Sequence, residues 1–209
     1  LDFGKPIEAR PHFQKALELD PDFAYARLNL ANASNSLEEF KTDVEKAVAK
    51  ASTASEGEQM LIGIAETFLT NDSDKRQELA KKLTSGYPKS PRAWLALANS
   101  HATRNEVKES RDATDKAIAL APDFFVPHRT QAFSYLFTEP RDTALALKAM
   151  QKVAELQPKS DQAFVDLGDA YRAANQLEQA RDAYANATQL DPSNGLAPIK
   201  EGHINSFLG

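Results

Sequence analysis

The sequence predicts an all-α fold in which pairs of helices stack one after another along the chain. Three observations carry that expectation. Prolines keep a beat: Pro88, Pro122, Pro158 and Pro192 are 34, 36 and 34 residues apart, and Pro21 lies two such intervals before Pro88. Four of these five close an apolar, helix-forming phrase, as in Ala-Leu-Glu-Leu-Asp-Pro21 and Ala-Thr-Gln-Leu-Asp-Pro192. Proline stops a helix because it has no N–H to donate and its ring clashes with the preceding turn. Second, between prolines the apolar and small residues fall three or four apart in two groups, which marks one face of each of two helices. Third, 42% hydrophobic and 26% charged residues in a chain of 209 are globular values, enough to build a packed array.

Taken in order, residues 1–22 supply only the second helix of a pair, carried by Ala9, Phe13 and Ala16 ahead of Pro21. In residues 23–56, Leu30 and Ala31 hold the apolar face, while Arg27 and Ser34 stand where other pairs have aromatic residues. In residues 57–89 the phrase Ser55-Glu56-Gly57-Glu58 reads as a capping box just before the pair, and Gly63 falls one place early against the other pairs. Residues 90–123 open with Ser90-Pro91, a cap followed by a proline whose missing N–H costs nothing in a first turn. Trp94, Leu97, Ala98 and Ala117 then carry the apolar face. Residues 124–159 carry Ala132 and Tyr135, then Ala146, Met150 and Val153; this pair is two residues longer, with the extra length expected near Glu139-Pro140. Residues 160–193 carry Phe164, Leu167, Gly168 and Tyr171, then Ala180, Tyr184 and Ala187. Between them Asn175, followed three residues on by Glu178, reads as a helix start. Residues 194–209 read as one amphipathic helix, with Leu196, Ile199 and Ile204 available to cover the last pair. Two short helices cannot bury their faces alone, so neighbours must stack. Ala31, Ala98, Ala132 and Gly168 are small because helix axes approach to about 8–10 Å there.

The pattern aromatic, Leu-Gly, Tyr, Ala-x-x-x-aromatic-x-x-Ala, Pro resembles the tetratricopeptide repeat. Residues 161–192 match it at Phe164, Leu167, Gly168, Tyr171, Ala180, Tyr184, Ala187 and Pro192. The resemblance covers a half repeat, five repeats and a capping helix. It implies a right-handed α-solenoid whose first helices line an inner, concave face. The array begins mid-repeat, so residues are expected ahead of Leu1 in a parent protein, or a partner against this end.

The resemblance also implies which residues face the groove. From the second, fifth, ninth and twelfth places of each first helix these are Tyr25, Leu28, Asn32 and Asn35; then Arg92, Leu95 and Asn99; then Val126, Arg129, Phe133 and Leu136; then Gln162, Val165, Asp169 and Arg172. Leu61 and Phe68 stand for the pair at 57–89, and Ile199 and His203 for the final helix. Tyr25, Asn32, Asn35, Arg92, Asn99, Arg129, Phe133, Asp169 and Arg172 are the candidate partner-binding set. Amides can bond both sides of an extended backbone, arginine holds carboxylates in a fork, and aromatic rings anchor interfaces. Some relatives clamp a carboxylate with Lys and Asn at the fifth and ninth places, but Leu28, Asn32, Ile62, Arg92 and Ala96 supply only fragments of that set.

Other functions find little to stand on. Lys plus Arg is 25 against 30 Asp plus Glu, a net charge of -5, so nucleic acid meets no basic footprint. Cysteine is absent, which removes disulfides, thiolate metal sites and a cysteine nucleophile. His12, His101, His128 and His203 show no metal-ligand spacing, and no phosphate loop or nucleophile elbow occurs. His101 takes the Tyr171 place and reads as packed. The polar run Asn71 to Asp74 reads as a turn, since a calcium loop needs a central glycine and a closing glutamate. The apolar runs, such as Met60-Leu61-Ile62, are too short for membrane insertion. The reading is therefore a non-enzymatic interaction module, without cofactor or metal, that binds a protein or peptide in its groove. The alternative is a self-associating scaffold or accessory repeat region of a larger signalling or envelope protein. The compartment stays open.

Overall fold

The computed structural model describes residues 6–193 and 195–209. Residues 1–5 of the expected half repeat, and Asn194 at the start of the expected cap, lie outside the described residues. Those described form α-helices and one 3-10 turn, with no strand among them. They fall into two compact units, one running through Leu120 and the other spanning Ala121–Gly209.

The first unit contains α1 (Pro6–Leu19), α2 (Ala24–Asn32), α3 (Leu37–Ala49), a 3-10 turn at Ala51–Thr53, α4 (Glu56–Thr70), α5 (Ser73–Gly86), α6 (Pro91–Thr103) and α7 (Val107–Leu120). Each helix packs on the next in chain order. The second unit contains α8 (Phe125–Phe137), α9 (Thr143–Leu156), α10 (Asp161–Ala173), α11 (Leu177–Leu190) and α12 (Leu196–Leu208), again packed in order. The structure is thus an all-α repeat of helix pairs. Residues 138–142 separate α8 from α9, against 104–106 and 174–176 in the neighbouring turns, so the extra length of that pair lies around Glu139-Pro140.

Local chemistry sets the helix starts. Side chains of Ser36, Asp72, Ser90, Asp142 and Ser160 accept from the N–H three residues on, which satisfies a donor the helix cannot. The Glu58 carboxylate takes the Ser55 N–H at 3.0 Å and its hydroxyl at 2.8 Å, completing the capping box. Asn175 does something else. It sits at φ 57, like Asn71 at 53 and Asn105 at 59, and Gln176 is the residue before α11. These asparagines turn the chain through the left-handed region, which Asn tolerates better than most residues; the expected capping role of Asn175 does not hold.

One position explains the packing. Counting from the residue that precedes each first helix, Phe23, Ser55, Ser90, Phe124 and Ser160, the eighth place is Ala31, Gly63, Ala98, Ala132 and Gly168. A Cβ on Gly168 would lie 2.4 Å from Cε1 of Tyr184, and one on Gly63 would lie 3.0 Å from Leu79. Gly63 is therefore in step, not one place early, because α4 begins at Glu56. Counted from Glu56, the places read from that pair move by one, from Leu61 and Phe68 to Met60 and Thr67, yet Thr67 is buried and Phe68 is exposed. Around these contacts Val44, Ala47 and Ile62 close one core, and Ala146, Met150 and Val153 another, all essentially without solvent exposure. Ala197 and Ile204 of α12 cover the last pair, whereas Leu196 and Ile199 remain exposed.

Candidate partner-binding faces

In the second unit ion pairs join the first helices, α8 to α10 and α10 to α12. Arg129 Nε on α8 donates to Asp166 Oδ2 on α10 at 2.6 Å, and Gln162 Nε2 donates to the other carboxylate oxygen at 2.8 Å. Asp166 is 5% exposed, so its charge is met in a poorly solvated place. From α10 to α12 the link is Asp169, whose oxygens accept from Lys200 Nζ at 2.6 and 2.5 Å. The Tyr184 hydroxyl donates to the same carboxylate at 2.7 Å. Burial, and then that bond to Asp169, pushes the Tyr184 phenol well above the usual range for tyrosine. Arg129 and Asp169, both in the candidate set, are thus occupied in holding the wall together.

Apolar surface lies beside these pairs. The Arg129 guanidinium stands 4.8 Å from the centre of the Phe133 ring, and Phe133 meets Phe137 at 5.9 Å with the rings tilted by 42°. Phe137 is 69% exposed and lies outside the expected positions. It follows Phe133 by four residues on one helix, a spacing that flags the two as neighbours. Leu136 and Val165, expected to face the groove, are buried in the core. Between α10 and α12 lies a concavity of about 640 Å³, lined by Arg172, Tyr184, Leu196, Ile199, His203 and Phe207.

The first unit is more polar. Tyr25 is half-buried against the α2–α4 core, and Leu28 is fully within it. Asn32 ends α2 as an exposed residue. Asn35 is not on a helix: α2 stops short, and the Asn35 N–H donates to Glu39 Oε2 at 3.1 Å in the turn. Arg92 and Asn99 are exposed on α6, with Leu95 half-buried between them.

Thr67 is buried beneath Arg76, itself 4% exposed. Arg76 donates to Thr67 Oγ1 at 2.9 Å, to the Thr67 carbonyl at 2.8 Å and to Thr103 Oγ1 at 3.2 Å. Its guanidinium lies 3.8 Å from the centre of the Phe68 ring. Burial lowers the Arg76 pKa from its usual value, against an opposing pull from Asp72.

His101 is packed, its Nδ1 at 2.5 Å from Glu106 Oε2. Gln77 Nε2 and Arg104 Nε add bonds to the same carboxylate at 2.7 and 2.9 Å, and the Glu106 pKa falls to about 2, first through His101 and then Arg104. Arg104 also pairs with Asp74. Among the described residues no group of three His, Cys, Asp or Glu side chains is placed to hold a metal ion.

Sequence profiles of the tetratricopeptide repeat match residues 162–194, and residues 1–57 with 76–123. The chain belongs to the tetratricopeptide repeat family. The small residue at the eighth place and the proline after every second helix but α3 are, in this chain, the structural content of that membership. A mouse relative, Protein O-mannosyl-transferase TMTC1, is 28% identical over 119 residues, which is 55% of this chain and 12% of that protein. The chain spans only 12–13% of the length of the curated relatives it matches. Among solved structures, the tetratricopeptide protein TTC0263 of Thermus thermophilus aligns with a TM-score of 0.66 at 12% identity, over 87% of this chain and 98% of that one. The first tetratricopeptide repeat domain of Spaghetti (RPAP3), solved with the HSP90 peptide SRMEEVD, aligns with a TM-score of 0.51 at 21% identity, over 57% and 93%. These structures share the fold. Tetratricopeptide repeats in general mediate contacts between proteins, and among the described residues no helix is long and apolar enough to cross a membrane.

Proposed function

We propose that this chain is an interaction module that binds a peptide or a partner helix along the first-helix faces of its units and carries no chemistry of its own. The observation that carries the reading is the apolar surface left open in the second unit. Phe137 is 69% exposed, Ile199 58% and Phe207 75%, beside ion pairs that already fix the helices under them. Large exposed apolar side chains on helices already held in place are the usual material of an interface. The peptide bound by the Spaghetti domain, a protein of the same fold, supports this use of the scaffold. A net charge of -5 directs the reading toward protein rather than nucleic acid.

The test is selection of peptides from a phage-displayed random library on the immobilised chain, with affinities measured by fluorescence anisotropy. Replacing Phe133 and Phe137 together by alanine should weaken the selected peptides by about tenfold or more while helicity is kept. Equal affinity for the double variant, or failure to select any peptide, refutes the reading. A scaffold that associates with itself would instead show concentration-dependent mass in sedimentation, indifferent to both changes.

A further inference from the structure

We propose that the concavity between α10 and α12 is a specificity pocket for an acidic segment of a partner, one that places a large apolar side chain on Ile199 and Phe207 and a carboxylate against Arg172. The inference rests on the reading above and names the chemistry of the partner at one place on that face.

Charge inside the second unit does not cancel evenly. Arg129 is matched by Asp166, and Lys200 is matched by Asp169. Both Asp169 oxygens are engaged by Lys200 at 2.5 and 2.6 Å, and Tyr184 adds a third donor. Arg172 stands 3.8 Å from the same carboxylate with a side chain 58% exposed, so one negative charge is shared between two cations. Of the charged side chains that line the pocket, Arg172 and Lys200 outnumber Asp169, an excess of one positive charge.

The floor is apolar. Leu196, Ile199 and Phe207 are exposed at 48%, 58% and 75%, and a volume of about 640 Å³ accommodates an aromatic or branched side chain. A cation fixed at the rim of an apolar concavity selects a ligand with both features: the carboxylate forks onto the guanidinium and the side chain displaces water below it. At this place the local positive charge favours acidic over basic segments.

The experiment uses the full chain and the phage-selected peptides. Selected sequences should carry Asp or Glu within a few positions of Leu, Ile or Phe. Arg172→Glu should weaken them at least tenfold, and the same peptides with acidic residues changed to lysine should recover most of that loss on the Arg172→Glu chain. Ile199→Asp, at an exposed position that leaves the core untouched, should weaken them similarly. Peptides that lack acidic residues, or that ignore both changes while remaining sensitive to Phe133 and Phe137, overturn this inference and leave the general function standing. Failure to select peptides overturns both. Self-association abolished by Ile199→Asp would assign the pocket to a second copy and overturn the acidic-peptide assignment.

Discussion

Gly168→Ala tests the packing rule on which every face depends. The added methyl would sit 2.4 Å from Cε1, 2.6 Å from Cδ1 and 2.8 Å from Cζ of Tyr184. Comfortable carbon contacts lie near 3.5–4.0 Å, so the ring must retreat by about 1 Å. It has nowhere easy to go: Tyr184 is completely buried, and its hydroxyl is held by Asp169 at 2.7 Å. Overpacking of this kind costs about 1–3 kcal/mol, and loosening the hydroxyl bond adds about 1. Alanine's better helix propensity offsets about 1 kcal/mol. The net loss should be about 1–3 kcal/mol. Gly202 is the control, because it lies inside α12 with no heavy atom within 4 Å of a Cβ. Gly202→Ala has the propensity gain without the clash and should stabilise by about 0.5–1 kcal/mol. Urea unfolding followed by far-ultraviolet circular dichroism reads both. Shifts of the same sign, or a Gly168→Ala midpoint at or above that of the parent, would show that helix pairs here are not fixed by close approach.

Two further outcomes probe the first unit. Glu106 has a folded pKa of about 2, below the ordinary carboxylate value of 4.5, so its contribution to stability is full above that ordinary value and fades as pH falls toward the folded one. Urea midpoints should therefore decline between about pH 5 and pH 2 more steeply for the parent than for Glu106→Gln, and parallel curves would contradict the bond to His101 and Arg104. Arg76→Ala removes three donors and a buried volume, and should cost about 3 kcal/mol by thermal or urea unfolding. Arg76→Met restores the volume and should recover part of that loss, whereas a neutral alanine variant would mean the guanidinium is not holding α4, α5 and α6.

Sterics that repeat are legible in the sequence, because each operates within one helix pair. Pro88, Pro122, Pro158 and Pro192 mark the ends of second helices, and Ala98, Ala132 and Gly168 mark where helices meet. Gly63 looks early only when counted from the following proline; counting from Ser55, whose capping box is itself readable, puts the glycine in step. Asn175 misleads because Asn caps helices and also turns chains. Its recurrence as Asn71 and Asn105 just ahead of other helix starts is the clue to its real part. The ion pairs are out of reach. Arg129 and Asp166 are 37 residues apart, and Asp169 and Lys200 are 31 apart. No local period predicts which polar residue on a helix face meets another a full repeat away.

Those long-range pairs change what a polar residue on the face can do for a partner. A partner that bonded Arg129 would have to draw it from a carboxylate 5% exposed, leaving Asp166 with Gln162 alone. Breaking such a pair costs more than a new exposed contact returns. The same holds for Asp169, whose release would free Lys200 and the buried Tyr184 hydroxyl together. Binding energy in the second unit is therefore expected from surface with less prior commitment: the Phe133 and Phe137 rings, the floor formed by Ile199 and Phe207, and Arg172, which the shared Asp169 carboxylate holds only at 3.8 Å. The paired charges act earlier, by holding α8, α10 and α12 in a fixed order so that an incoming segment meets a wall already built, and less ordering entropy is lost on association.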